Sequence, residues 1–269
     1  MERNLLLTIE YDGTDFSGWQ RQPEVRTVQG ELEAALSKVC GTPIQISGTS
    51  RTDAGVHALG QRASFNGDFG IPTERIARAV NNMLSGGMHS KSKCADVRIV
   101  EVEEMPEDFH ARFDAKGKTY RYIIKDDGKQ DIFRRNYCYQ VSGALNVEAM
   151  KAAAKYIQGT HDFACFQAAG GTPRETTVRT IYGLEIERTQ ENDVVIEVTG
   201  NGFLYNMVRI IAGTLVEIGQ GKINSEDILT IIESKDRQKA GHTAPPEGLY
   251  LVEVYYQDVE EREAIEHGN

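Results

Sequence analysis

The sequence predicts an α+β chain of two ferredoxin-like halves, each built on a β-α-β-β-α-β order and sharing an extended, mostly antiparallel sheet. Three observations carry this. Apolar residues alternate in short strand-like stretches interleaved with segments of helical spacing. The same order recurs after Pro106. The composition, with 40% hydrophobic and 26% charged residues over 269, is that of a globular chain long enough for a sizeable core. The predicted divisions are residues 1–106, residues 107–257 and an acidic polar tail over 258–269. The halves share no visible sequence identity, so the repeat is one of architecture.

Leu5 to Tyr11 reads as the first strand and runs into the loop Asp12-Gly13-Thr14-Asp15. From Thr27 to Cys40, Val28, Leu32, Ala35, Leu36 and Val39 recur at helical spacing. Thr27 is placed to cap that helix, and Gly41 with Pro43 ends it. Pro43 to Thr49 and Gln61 to Asn66 read as strands joined by a glycine-rich segment. A second helix is predicted over Thr73 to Leu84 on Ile76, Ala77, Val80, Met83 and Leu84, and a strand over Ala95 to Val102. In the second half, strands near 118–125 and 137–142 lead to a helix near 146–158. Strands near 178–188 and 193–200 follow, then a helix near 203–218, a short helix after Ser225 and a last strand near 249–257. That half thus carries one strand and one helix more than the first.

No charged leader precedes an apolar run, and no apolar run approaches the length of a membrane span, so the expected compartment is the cytoplasm. Cys40, Cys94, Cys138 and Cys165 are widely spaced without a C-x-x-C pair and read as small apolar residues in a reducing environment. The six histidines lack metal-ligand spacing, so no metal is expected. The formal net charge of −10 argues against a polyanionic partner only if it is evenly spread. It is not. Residues 251–269 hold one basic residue against six acidic ones, residues 110–135 hold eight basic against four acidic, and residues 51–100 hold seven against four. A local basic strip can bind phosphates on a chain that is acidic overall.

Three segments carry candidate chemistry. Gly48 to Gln61 brackets Arg51, Asp53 and His57 with glycines and small residues between two apolar strands. Asp53, at a strand–loop junction, is placed as an exposed nucleophile, base or metal ligand would be, although a loop aspartate taken alone is more often a turn-capping residue. In Asn201 to Gly213, helical spacing gathers Gly202, Tyr205, Asn206, Arg209 and Gly213 on a polar or small stripe of an apolar helix. Arg209 is either a surface residue or a buried cation that needs a carboxylate. On the strand at 118–124, Tyr120, Tyr122 and Ile124 share one face, which suits either stacking on unpaired bases or plain core.

Gly-Thr-Ser-Arg-Thr-Asp-Ala-Gly-Val-His at 48–57 resembles the catalytic motif of the tRNA pseudouridine synthase A family. Tyr11-Asp12-Gly13 with Gly18-Trp19-Gln20-Arg21-Gln22 resembles its N-terminal signature, and Phe109 to Phe113 leading into Lys118 to Tyr122 its tyrosine motif. His161-Asp162-Phe163, Phe203 to Arg209 and Glu247 to Leu251 resemble its C-terminal motifs. The six lie in order from about residue 5 to 257.

The resemblance implies conversion of uridine to pseudouridine at positions 38, 39 and 40 of the tRNA anticodon stem-loop. It also implies a two-domain fold with a central RNA-binding cleft, and a homodimer. Carried over residue by residue, Asp53 is the nucleophile and Arg209 pairs with its carboxylate. Tyr120 packs against the flipped base, Arg51 fills the gap the base leaves, and Leu249 walls the uracil pocket. The departing and returning group is the same ring, so the isomerisation calls for no cofactor or metal. The carboxylate must remain ionised in a water-poor pocket, and a neighbouring guanidinium favours its charged form. A base inside a stem must be flipped out, at a cost of a few kcal/mol. Two other classes remain: a non-catalytic RNA-binding module of the same design, and a metal-dependent phosphoryl-transfer enzyme using Asp12, Asp15 and Asp53. The acidic end argues against RNA contact by the extreme C-terminus.

Overall fold

A computed structural model describes residues 2–86, 95–171 and 175–257. The chain forms two compact units, one taking in the chain up to Lys116 and again from Leu251, the other Gly117–Tyr250. The predicted tail at 258–269 lies outside the described residues apart from what the sequence says of its charge, as does Cys94. Among the described residues no helix is long and apolar enough to cross a membrane.

The first unit begins with β1 (Arg3–Tyr11), α1 (Val28–Cys40), β2 (Ser47–Gly48), β3 (His57–Gly67), α2 (Thr73–Leu84) and β4 (Val97–Met105). It is completed by the residues from Leu251 onward of β10 (Leu249–Tyr255). Its strands are ordered β4-β1-β3-β10, with β2 beside β3, and β1 pairs antiparallel with both β3 and β4. Leu5, Leu6 and Leu7 of central β1 are all buried, so both faces of that strand are covered. The Thr27 hydroxyl accepts from Gly30 N, and Gly41 closes α1 in the left-handed conformation. Val28, Leu32 and Leu36 of α1 are wholly buried, each worth about 1.5–3 kcal/mol over an exposed position. From β1 to β4 the elements come in the order β-α-β-β-α-β, to which the end of β10 is added.

One predicted strand shrinks. Of Pro43 to Thr49 only Ser47–Gly48 is a strand. The backbone before it is satisfied by side chains of α1: Ile44 N donates to Ser37 Oγ at 2.9 Å, Ile46 N to Glu33 Oε1 at 3.1 Å, and Gln29 Nε2 to Ile46 O at 3.0 Å. These side chains take the place of a strand partner at Ile44 N, Ile46 N and Ile46 O.

The second unit contains β5 (Gly117–Lys125), β6 (Tyr139–Gln140), α3 (Val147–Ile157), β7 (Gly159–Asp162), β8 (Val178–Arg188), β9 (Asp193–Gly200), α4 (Met207–Gly219) and α5 (Ile228–Ser234). Its strands run β5-β9-β8-β7 in antiparallel pairs, with β6 parallel to β5. Strand β7 was not predicted, because Gly-Thr-His-Asp has no apolar alternation to betray it. Predicted 137–142 reduces to two residues, and the predicted helix at 203 starts at Met207 because Asn206 sits at φ 59°. Helix α4 is buried on nearly every side, as its run of apolar and small residues dictates. Helix α3 packs on α4 and β8. Asp126, wholly buried just past β5, receives both guanidinium nitrogens of Arg188 at 2.8 Å and Leu145 N at 2.7 Å. That arginine holds the Asp126 carboxyl below its ordinary range, with the Leu145 amide assisting against burial.

Candidate active site

The Asp53 loop is interlocked with its surroundings in the first unit. Gln61 on β3 is wholly buried and spans Ser50, accepting from Ser50 N at 3.2 Å and donating to Ser50 O at 2.8 Å. Trp19 N donates to Thr52 O at 3.0 Å, and the Tyr11 hydroxyl and Thr52 Oγ1 are hydrogen-bonded at 2.7 Å. Thr49 Oγ1 donates toward the Arg62 and Ala111 carbonyls, each at 3.0 Å. Two glycines permit this packing. A Cβ on Gly18, which sits at φ +88°, would stand 2.8 Å from Thr52 O, and one on Gly13 would stand 2.0 Å from Val56 O. His57 is buried, and its Nδ1 accepts the Gly13 amide at 3.0 Å, so this histidine serves the loop's architecture.

Thr49, Ser50 and Thr52 are consequently buried, while Asp53 is half-buried and Arg51 exposed. Val56 N donates to Asp53 O at 3.2 Å, closing a turn with Gly55 at positive φ. The result is a carboxylate on a backbone fixed from two sides, as a reacting group requires. Gln61 was not singled out from sequence. Its signal was present: it shares a strand face with buried Ala63 and Phe65, a polar residue at an inward position.

The remaining predicted residues belong to the second unit. Tyr120 is 9% exposed and meets Phe203 edge-on, with ring centroids 5.2 Å apart. Tyr122 and Ile124 on the same face are wholly buried, and Tyr122 donates its hydroxyl to Pro245 O at 2.7 Å. Burial, with Glu247 adding to it, pushes the Tyr122 hydroxyl well above its ordinary pKa of 10. Tyr122 and Ile124 are therefore core, and the base-stacking alternative for that strand face fails for them. Arg209, in the first turn of α4, donates from Nε to Ala244 O at 2.7 Å and from Nη1 to Asn206 Oδ1 at 2.9 Å. Leu249, the first residue of β10, is buried.

The basic strip is partly neutralised. Arg121 pairs with Glu197 at 2.9 Å, Lys125 with Asp127 at 2.8 Å and Arg134 with Asp193 at 2.6 Å. Lys129 and Arg135 line a cavity of about 600 Å³ with Tyr139, Gln140, Asp131 and Glu247. Asp12 is a turn residue, its Oδ1 accepting both the amide and hydroxyl of Thr14. Among the described residues no three His, Cys, Asp or Glu side chains gather as metal ligands would. Cys138 and Cys165 are buried, and burial pushes the Cys165 thiol up to about 12.

Comparison with known proteins follows the same residues. A family model described as tRNA pseudouridine synthase matches residues 7–114 and 153–257, the stretches that hold Asp53, Arg51, Arg209 and Leu249. The tRNA pseudouridine synthase A of Ruminiclostridium cellulolyticum is 50% identical over 254 residues, 94% of this chain and the whole of that relative. Those of Acetivibrio thermocellus and a Thermoanaerobacter species are 49% and 46% identical over the same shares. With matches this long, the chain belongs to the tRNA pseudouridine synthase family.

Proposed function

We propose that the chain isomerises uridine to pseudouridine at positions 38, 39 and 40 of the tRNA anticodon stem-loop, with Asp53 as the nucleophile. The observation that carries this reading is the interlocked loop, which holds a half-buried carboxylate on a fixed backbone within a motif resembling the family's catalytic one. The bond from uracil N1 to the ribose carbon breaks, the ring turns, and a C–C bond forms from C5 to the same ribose carbon; C5 then gives up its proton and N1 takes one up, so the product is an isomer of the substrate. The Asp53 carboxylate attacks or stabilises the intermediate, and Arg209 pairs with it to keep it ionised. Tyr120 offers its edge-supported ring to the loosened uracil, Leu249 supplies the apolar wall, and exposed Arg51 replaces stacking lost when the base leaves the stem. The substrate is tRNA, and the enzyme acts as a homodimer in the cytoplasm. No step draws on a cofactor.

Asp53→Asn tests this directly. The variant should fold and bind an anticodon stem-loop as the parent does, yet form no pseudouridine by carbodiimide mapping. Activity within tenfold of the parent would remove Asp53 from the nucleophile's role. Arg209→Ala should also lower turnover strongly, and unchanged kinetics would separate it from the carboxylate.

A further inference from the structure

The segment 240–245 between α5 and β10 is pinned at every residue. Arg237 donates to Ala240 O at 3.3 Å, Gly241 O at 2.8 Å and Thr243 Oγ1 at 3.0 Å. Gly241 N donates to Thr214 Oγ1 at 2.9 Å, and Tyr122 holds the Pro245 carbonyl. Ala244 and Arg209 exchange bonds: Ala244 N donates to Arg209 O at 3.0 Å while Arg209 Nε donates to Ala244 O at 2.7 Å. Helix α4 lets the segment lie backbone against backbone, since a Cβ on Gly213 would stand 1.9 Å from His242 O.

His242 ties this segment to two other elements. Its amide and its Nδ1 both reach Glu217 Oε1 on α4, at 3.0 and 2.8 Å, and its Nε2 lies 3.2 Å from the Tyr139 hydroxyl on β6. Burial raises the Glu217 carboxyl, but the side-chain and backbone hydrogen bonds from His242 outweigh it and leave it below its ordinary range. An arginine side chain has many rotamers, and among the groups that orient Arg209 are Asn206 Oδ1, just before its own helix, and Ala244 O, supplied by the segment. The position of Nε thus depends in part on how the segment is registered on α4.

We propose that His242, bridging Glu217 and Tyr139, is a positioning residue that sets Arg209 by fixing the Ala244 carbonyl. This rests on the reading of Arg209 as a partner of the catalytic carboxylate. It extends to Leu249, which the same segment delivers a few residues later.

The test uses the full chain and an anticodon stem-loop substrate, with two readouts. His242→Ala should lower kcat at least tenfold while leaving KM within threefold. It should also shift the Arg209 Nε–H signal in an arginine-selective 1H–15N spectrum, that signal being assigned by its loss in Arg209→Lys. Glu217→Ala should do the same, whereas Glu217→Gln, which keeps the acceptor oxygen, should return both readouts to near the parent. If His242→Ala does not fold, Tyr139→Phe removes only the hydroxyl at Nε2 and should shift the signal in the same direction. An Arg209 signal unmoved in the folded variants overturns the proposal. A shifted signal with kcat unchanged in both His242→Ala and Arg209→Ala upholds the positioning and overturns the catalytic reading of Arg209 instead.

Discussion

Replacing Gln61 with leucine should loosen the Asp53 loop by a calculable amount. The two side chains are similar in volume, so packing is largely kept, but the amide that spans Ser50 is lost. Ser50 N–H and C=O then lie buried and unpaired, at about 1–3 kcal/mol each, or roughly 2–6 together. Burying an apolar side chain in place of a polar one returns about 1–2 kcal/mol. The expected net loss is about 2.5 kcal/mol at the centre of these ranges. Urea unfolding followed by the fluorescence of Trp19, the chain's single and buried tryptophan, reads the first unit directly. Because Ser50 precedes Arg51 and Asp53 by so few bonds, pseudouridine formation should slow at least tenfold in kcat. Gln61→Glu should be worse at neutral pH, since a buried carboxylate then faces the Ser50 carbonyl. That variant should recover as pH falls, when protonation makes its carboxyl a donor. A loss under about 1 kcal/mol for Gln61→Leu with kcat within twofold of the parent would refute the account of how this loop is held.

Arg188→Met should cost about 3–5 kcal/mol at pH 7 by leaving wholly buried Asp126 without its cation, measured by denaturant unfolding. In the parent the Asp126 carboxyl is held low, so its contribution is complete above the ordinary aspartate range near pH 4 and is lost only as pH falls through the lower folded value. In the variant the orphaned carboxyl takes up a proton earlier, so the gap to the parent should narrow as pH drops; a gap that stays constant would contradict this. Gly213→Ala should destabilise by about 1–3 kcal/mol through the clash with the His242 carbonyl, seen as a lowered Tm.

Much of the first unit was legible because several of its elements obey a simple rule. Val28, Leu32 and Leu36 show helical spacing under a Thr27 cap, and Leu5 to Ile9 is a short apolar run. Where side chains take over backbone hydrogen bonding, the rule fails: Glu33, Gln29 and Ser37 satisfy the chain at 44–46, and no periodicity announces that. Strand β7 failed for the opposite reason, being a polar strand chosen by its neighbour β8. Asp53 and Arg209 could be picked out because a charged residue amid glycines or apolar residues stands out. The groups that hold them could not. His242 and Glu217 lie apart in sequence and meet only because Gly213 admits the 240–245 segment, while the opposed carboxylates of the basic strip, Glu197 and Asp193, come from a strand paired alongside.

The first unit is assembled from the two ends of the chain, and this sets a timetable for the newborn protein. Strand β3 carries the last residues of the Asp53 motif, and β10 pairs along its edge. On the ribosome β3 is made early, whereas its neighbour follows only after the whole of Gly117–Tyr250. At about 5–20 residues per second the wait is roughly 7–30 seconds. For that interval the part of this edge of β3 that β2 does not cover is open to strands from other chains. Translation speed and chaperone supply should therefore affect the soluble yield of this protein alongside its finished stability.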